Sequence, residues 1–198
     1  MALNKEKLIE YAFRNVDIGD DCDVLEADCK NIVFLFDNCE ITIPKENRFF
    51  VNVNCDGIQR MVLYRRAKQY DEELAENGLS VGNETFAYTG TYDFGHTSTE
   101  WESVISLGIS GLRKRISEYS KKAKSDKKKQ RFYSEILKVY DAALRFMKRA
   151  SEEAKKCGKK QMAEGIANLT ENAPQNLFEA MQTSIIYYVM QQMFDGTN

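Results

Sequence analysis

The start of one helix is set by the stretch Asn172-Ala173-Pro174-Gln175-Asn176-Leu177-Phe178-Glu179-Ala180-Met181-Gln182. Proline lacks the backbone N–H that continues a helix, so the chain breaks at Asn172-Ala173-Pro174 and a new helix begins at Leu177. From Leu177 to Phe194, apolar residues point in nearly every direction around the helix. Because a helix that is apolar all round is a buried one, this stretch predicts a mainly α-helical protein whose last helix lies in a core.

Upstream of this stretch, the spacing of apolar residues predicts two further helices. One covers about Gln161 to Leu169. The other is long, begins at Ser125-Asp126 and ends or is interrupted at Gly158. Its apolar stripe, which we expect to be buried, consists of Phe132, Ile136, Val139, Tyr140, Ala143, Leu144, Met147 and Ala150.

A further helix is predicted to start where Thr97 and Glu100 fit a capping box. It would place Trp101, Val104, Ile105, Gly108, Leu112, Ile116 and Tyr119 on one face. Gly108 and Gly111 each cost up to about 1 kcal/mol relative to alanine inside a helix. We therefore expect a closely packed neighbouring helix to offset that cost.

The N-terminal half combines helical spacing with β-rich runs. A short first helix is predicted from Leu3 to Val16, with Gly19 ending the pattern. Three runs rich in β-branched and aromatic residues predict a small β element at about residues 32–54, and these are Ile32 to Phe36, Glu40 to Ile43 and Phe49 to Val53. Helical spacing returns from Ile58 to Leu74 and stops at Asn77-Gly78, and residues 79–96 are predicted to form an ordered loop rich in glycine and aromatic residues.

Composition limits the class of protein. The chain has 198 residues, 43% of them hydrophobic, which suits a single domain over residues 1–198. Its net charge of -2 comes from 28 basic and 30 acidic residues, so no overall field favours nucleic acid or an anionic membrane. The longest apolar run, Ile185 to Met190, is too short to span a bilayer. Five cysteines without C-x-x-C spacing argue against a disulfide scaffold or a zinc site.

Two stretches resemble sequence patterns of the pyruvate formate-lyase-like glycyl radical enzymes. Gly95-His96-Thr97-Ser98-Thr99-Glu100-Trp101 resembles the Gly-His loop of that family. The residues that follow resemble its next helix, and the matching positions are Trp101, Glu102, Val104, Gly108, Gly111 and Leu112. The stretch from Asn172 to Gln182 resembles the family's proline-led helix start. The two occur in the family's order with two long helices between them, so the resemblance covers about residues 95–198.

The resemblance implies that this chain is the N-terminal part of a longer enzyme. The family works with a thiyl cysteine on a loop inside an α/β barrel and a radical-bearing glycine near the C-terminus, and both would lie beyond Asn198. The closing residues, Phe194 to Asn198, are typical of the interior of a longer protein. We expect the chain to supply helical shell and part of the substrate cavity of a lyase or transferase of the formate-lyase or dehydratase type. By itself it holds no catalytic residue of that chemistry.

The same resemblance implies partners and conditions. The parent enzyme would carry a glycyl radical installed by a radical S-adenosylmethionine activase, and this chain would bind no cofactor or metal of its own. Its other partners would be the remainder of the enzyme, a small organic substrate and further copies in a homo-oligomer. We expect a cytoplasmic protein of anaerobic metabolism, with no membrane or nucleic-acid partner.

His96 is the candidate substrate-binding residue. It is the single histidine of the chain, and its unperturbed pKa suits proton transfer near neutrality. In several enzymes of the resembled family, the histidine of the Gly-His loop faces the substrate cavity. The alternative is a loop histidine that hydrogen-bonds nearby backbone.

Other candidates are better explained as surface. Asp93 and Glu84 flank the same loop, but nothing in their spacing requires a catalytic role. The acidic residues 17–28 do not follow the calcium-binding EF-hand pattern. The basic run from Lys121 to Arg131 lacks interleaved aromatic residues, so a solvated helix junction is favoured over a nucleic-acid site.

Two other classes of function stay open. A stand-alone enzyme would need its own catalytic group, and activity lost on changing His96 would favour it. A stand-alone helical protein-interaction module would need no further polypeptide and no catalytic group. The last helix distinguishes part of a larger enzyme from an interaction module. A fragment of this size has too few other helices to cover all apolar faces of that helix. We expect the isolated chain to bind a hydrophobic dye or to self-associate if it is part of a larger enzyme. Ile186→Glu or Tyr188→Glu should reduce this.

Overall fold

The computed structural model describes residues 2–15, 24–51, 57–58, 61–62, 72–73, 76–78 and 99–195. These residues are mainly α-helical, which confirms the predicted fold class. The helices are α1 (Lys5–Asn15), α2 (Val24–Asn38), α3 (Trp101–Lys122), α4 (Lys127–Lys156), α5 (Lys160–Leu169) and α6 (Leu177–Asp195). None of the helices in the described ranges is long and apolar enough to cross a membrane.

The small β element expected at residues 32–54 is wrong for its described part. Ile32 to Phe36 lie inside α2, and residues 40–51 form turns, bends and irregular segments without a strand. An isolated parallel bridge joins Leu3 to Cys39. A short unbroken apolar run has no period that separates a strand from a buried helix, so packing decides. Here α2 packs on α4, where the Phe36 and Phe146 rings stack at 5.5 Å.

The N-terminal helix and the helical spacing after it agree with the sequence where they are described. The first helix is α1, and Leu8, Ile9 and Ala12 on one of its faces are buried in the core. Ile58, Met61, Val62, Glu72, Glu73 and Glu76 have helical backbone. Gly78 follows with a φ of 71°, a left-handed conformation that ends helices, as predicted. Gly19 and most of residues 59–75 lie outside the described part of the chain.

The long helix α4 is the central element of the core. Its N-cap is Asp126, whose carboxylate accepts a hydrogen bond from Lys129 N at 3.0 Å. It ends at Lys156, and Gly158 follows with a φ of 73°, as predicted. The buried stripe lies partly where expected, at Ala143, Met147 and Ala150. Phe132, expected in that stripe, is 47% exposed. The buried residues of α4 are Glu135, Ala142, Ala143, Phe146, Met147, Ala150 and Ala154, so its buried apolar face begins only at Ala142.

The helix α3 is bent, which the sequence did not predict. Gly108 has a φ of 62° and a ψ of 178°, so the backbone leaves helical geometry there and resumes it afterwards. The bend brings Arg115 Nη1 within 2.9 Å of Ser103 Oγ. Twelve residues of straight helix would separate these positions by about 18 Å along the axis. The two halves of α3 are therefore inclined to each other.

The start of α3 also differs from the predicted capping box. The helix begins at Trp101, and Glu100 itself is the N-cap, since its carboxylate accepts from Ser103 N at 3.0 and 3.2 Å. Thr97, predicted as the cap, lies outside the described residues. Of the residues predicted to share one face, Val104, Gly108 and Leu112 are buried, whereas Trp101, Ile105 and Tyr119 are exposed.

The last helix, α6, divides into a buried and an exposed side. Gln182, Thr183, Ile186, Val189, Met190 and Met193 are buried. Leu177, Met181 and Tyr188 are exposed. The expectation that this chain leaves some apolar surface of α6 uncovered is therefore confirmed within the described residues. Ile186 is fully buried, so Ile186→Glu would disrupt the core rather than relieve self-association.

Candidate functional site

The two stretches singled out in the sequence meet in space. An added Cβ on Gly108 would lie 3.4 Å from Ala173 Cα, 3.4 Å from Asn172 O and 3.5 Å from Pro174 Cδ. The bend of α3 thus fits against the chain break that precedes α6, and we name this contact the Gly108 corner. The neighbour that accounts for this glycine is a turn of backbone, not the packed helix expected from the sequence.

Glu179 holds the other side of the Gly108 corner together. Its side chain is buried, and its Oε2 accepts hydrogen bonds from Gln175 N at 2.8 Å and from Asn168 Nδ2 at 3.0 Å. Its own backbone N donates to Asn176 Oδ1 at 3.0 Å. One carboxylate therefore links the end of α5, the proline break and the start of α6 through hydrogen bonds. This acidic residue of the second stretch has a structural role.

Gln182 connects α6 to the N-terminal part of the chain. Its side chain is fully buried, and its Oε1 accepts a hydrogen bond from Phe50 N at 2.9 Å, across 132 residues of sequence. Phe50 is itself fully buried, with its ring edge against Phe146 at 5.7 Å. Gln182 Nε2 and the neighbouring Thr183 Oγ1 are buried and have no hydrogen-bond partner within the described part of the chain. Gln182, at the end of the second stretch, thus joins segments that are distant in the sequence.

The beginning of α3 lies beside the C-terminal turns of α6. Thr99 Oγ1 donates to Gln191 Oε1 at 3.4 Å, and the Trp101 ring meets the Tyr187 ring edge-on at 5.9 Å. These contacts hold the C-terminal end of the Gly-His stretch, at Thr99 and Trp101, against α6. His96 itself, with Asp93, Glu84 and the loop at 79–96, lies outside the described residues. The substrate-binding role of His96 therefore stays a prediction.

Two tyrosines near this contact are protonated groups. Burial raises the pKa of Tyr140 to about 12, with a further increase from Tyr187 and a decrease from Arg115. Burial also raises the pKa of Tyr187. At neutral pH both hydroxyl groups can donate hydrogen bonds, but neither is a base.

A cavity of about 360 Å³ lies between α2 and α4. Cys29 lines it together with acidic and basic side chains, which are Glu26, Glu135, Asp141, Lys30, Lys138 and Arg145. Lys138 Nζ lies 2.6 Å from Glu135 Oε1, and Arg113 holds Asp141 through two hydrogen bonds of 2.5 and 3.2 Å. Arg145 binds Asp37 in the same bidentate manner, at 2.8 and 2.7 Å. Most charges in this cavity are therefore neutralised by protein partners.

Cys29 is not an activated nucleophile. Burial first, and then the charges of Glu135 and Asp28, raise the pKa of Cys29 to about 11. Cys39 is buried at the end of α2, and Cys157 is exposed after α4. Across the described residues no group of three or more histidine, cysteine or acidic side chains could hold a metal ion. Cys22 and Cys55 lie outside those residues.

The basic run forms the junction between α3 and α4. Residues 123–126 are the turn that joins the two helices. Within the run, Lys129 Nζ lies 3.5 Å from Asp126, and Arg131 lies 3.6 Å from Glu26 on α2. Acidic side chains thus pair with part of its positive charge.

Comparison with known proteins agrees with the resemblance seen in the sequence. A family model described as "Pyruvate formate lyase-like" matches residues 58–195. A glycyl radical enzyme from Archaeoglobus fulgidus matches with a TM-score of 0.67 at 10% identity, over 98% of this chain and 32% of that one. A structure reported for 1,2-propanediol dehydration in Roseburia inulinivorans matches with a TM-score of 0.61 at 15% identity, over 97% of this chain and 31% of that one. No curated protein matches.

These structural matches concern the fold, since the identities are low. The chain spans about a third of the length of the solved structures that it matches.

Proposed function

The chain belongs to the pyruvate formate lyase-like family, and on that premise we propose that it forms the N-terminal, helical part of a glycyl radical enzyme. Within that enzyme it would supply helical shell and part of the substrate cavity. The reaction would be a radical cleavage or elimination on a small organic substrate, of the formate-lyase or dehydratase type. The proposal carries with it a cytoplasmic location and anoxic conditions.

One observation carries the proposal. Almost the whole chain, 98% of it, superposes on a third of a glycyl radical enzyme. A shell made of α1 to α6 would then be one layer of a larger body. The Gly108 corner supports the same role, because its contacts through Gly108 and Glu179 fix the course of the backbone and offer no reactive group.

The radical groups are assigned to polypeptide beyond this chain. In such an enzyme the glycyl radical, installed by a radical S-adenosylmethionine activase, supplies the means of abstracting hydrogen from the substrate through a cysteine. Burial keeps Cys29 protonated, and Cys39 is buried at the end of a helix. The contribution of this chain is to exclude water and to position substrate, with His96 as the proposed substrate-binding residue.

Electron paramagnetic resonance tests the proposal. The 198-residue chain and the product of its complete gene are each incubated without oxygen with S-adenosylmethionine and the activase. A doublet glycyl radical signal is expected from the complete product and not from the 198-residue chain. A doublet from the 198-residue chain would contradict the proposal. A complete gene that encodes no further cysteine loop and radical glycine would favour the stand-alone interaction module.

A further inference from the structure

The strongest feature that the proposed chemistry leaves unused is an exposed apolar surface on α6 and the start of α3. On α6, Leu177 is 77% exposed, Met181 45% and Tyr188 50%. These positions are four and seven residues apart, so they form one stripe along the helix. Across the Trp101–Tyr187 contact, Trp101 and Ile105 of α3 are each 40% exposed. We call these five side chains the apolar face.

The opposite side of α6 already packs on the core of this chain. Ile186 and Met193 are fully buried there, and Gln182 is bonded to Phe50. The apolar face is therefore additional to the surface that folding buries. A helix with apolar residues on both sides is typical of one enclosed by protein on both sides.

The charges around the apolar face restrict what can cover it. Neither the segment 99–112 nor the segment 177–195 contains a lysine or arginine, whereas both contain acidic residues. Arg115 reaches the first segment from the next turns of α3, as a single guanidinium that donates to Ser103 Oγ at 2.9 Å. Binding to an anionic membrane or to nucleic acid draws on basic side chains beside the contact, so neither partner fits. An uncharged, apolar protein surface does fit.

We propose that the apolar face is where the remaining, larger part of the parent polypeptide packs, an inference that rests on the proposed function. The length of the matched enzyme supports this occupant. Two thirds of the glycyl radical enzyme fold has no counterpart in this chain, while nearly the whole of this chain has a counterpart in that fold. Polypeptide of that amount must contact the helical layer somewhere. Within the described residues, Tyr119 of α3 and Phe132 of α4 are also exposed and both contact Tyr133. They adjoin the basic run from Lys121 to Arg131, whereas the two segments of the apolar face contain no lysine or arginine.

Photo-crosslinking in the complete gene product tests the occupant. Tyr188→p-benzoylphenylalanine and Met181→p-benzoylphenylalanine are expected to crosslink to peptides from beyond residue 198, as identified by mass spectrometry. Phe132→p-benzoylphenylalanine is the matched control, because Phe132 is a similarly exposed ring, at 47%, on α4. It should give no such peptide, or far less of it. Crosslinks between isotopically distinct copies at 181 and 188 would overturn the inference in favour of an interface between subunits.

The 198-residue chain provides the second arm. Tyr188→Glu and Met181→Glu should each lower hydrophobic-dye binding or self-association, whereas Phe132→Glu should lower it less. Both α6 positions are exposed, so these variants leave the core intact, which circular dichroism and the melting temperature would verify. A wild-type chain that is a dye-negative monomer at high concentration would overturn the inference. If the complete product forms a glycyl radical but gives no crosslink at 181 or 188, the apolar face is wrongly assigned and the proposed function stands.

Discussion

At the scale of single residues, Gly108 is the position on which the Gly108 corner depends. Its φ of 62° with a ψ of 178° belongs to a region of backbone space that is essentially restricted to glycine. The same residue also lies against backbone atoms of Asn172 and Ala173 at 3.4 Å, and backbone cannot rotate away as a flexible side chain can. Conformation and contact therefore both require glycine there.

We expect Gly108→Ala to lower the free energy of unfolding by about 2–3 kcal/mol. Gly158→Ala is the matched control, because Gly158 also has a positive φ, of 73°, but has nothing within 4 Å of an added Cβ. It should cost about 1 kcal/mol, from conformation alone. Urea unfolding of the two variants measures the difference, and equal losses would show that neither the contact nor the more restricted conformation of Gly108 adds to the cost of a positive φ.

His96 is the residue through which the chain is expected to act on substrate. In the parent enzyme, His96→Ala should lower turnover by about 100-fold or more, because positioned acid–base groups contribute on the order of 10² to 10⁴. The melting temperature should change little, since the proposed role lies in the cavity and not in core packing. His96→Gln is the control that retains hydrogen bonding without a titrating ring. Unchanged turnover with a lowered melting temperature would identify a structural histidine.

At the scale of secondary-structure elements, Glu179 determines how α5 and α6 are joined. Its Oε2 satisfies two donors from different segments, Gln175 N and Asn168 Nδ2. Removing a buried acceptor leaves each donor without a partner, at about 1–3 kcal/mol per group. The start of α6 is thereby coupled to the end of α5.

Glu179→Ala should therefore lower the free energy of unfolding by about 2–4 kcal/mol. Glu179→Gln keeps an oxygen that can accept from the same donors, so its loss should be smaller by about half. Chemical denaturation of both variants provides the comparison. If the glutamine variant lost as much as the alanine variant, the negative charge rather than the two hydrogen bonds would be the stabilising feature.

Some secondary-structure elements could be predicted from the sequence and others could not. The ends of α4 were found because Asp126 and Gly158 act locally, as an N-cap and as a left-handed residue. The run Ile32 to Phe36 was misassigned because its apolar residues are consecutive, and packing against α4 decides their conformation. The final helix was placed correctly at Leu177, since a proline break is a local signal.

The site was less predictable than the fold. The sequence related Gly108 and Pro174 to the same family but could not show that they touch, because the contact joins segments more than sixty residues apart. The N-cap at Glu100 was missed because Thr97 and Glu100 together fit the capping-box pattern, in which Thr97 would be the N-cap. The bond between Gln182 and Phe50 carries no sequence signal, since any buried glutamine could accept it.

At the scale of the whole molecule, a buried cysteine thiol and a buried tyrosine hydroxyl make the free energy of unfolding change with pH in the alkaline range. The pKa of Cys29 is raised from 9.0 to about 11, and that of Tyr140 from 10.0 to about 12. Both groups ionise more readily in the unfolded chain, so their contribution to stability is complete below about pH 9. It is lost as the pH rises, between about 9 and 11 for Cys29 and between about 10 and 12 for Tyr140.

The free energy of unfolding should accordingly fall between pH 9 and 11, and Cys29→Ala should make that fall less steep. The decrease attributable to Cys29 is on the order of 2 kcal/mol. Cys157→Ala is the control, because Cys157 is exposed. Denaturant titrations at several pH values measure the slope, and identical slopes for Cys29→Ala and the wild-type chain would refute the effect.

The hydrogen bond from Phe50 N to Gln182 joins two segments that are synthesised at different times. Its two ends are separated by 132 residues, which a ribosome adding about 5–20 residues per second takes on the order of 7–26 s to synthesise. During that interval the backbone donor of Phe50 has no α6 to meet. The segment around Phe50 is thus made early and reaches its native surroundings only when the last helix of the described chain has left the ribosome.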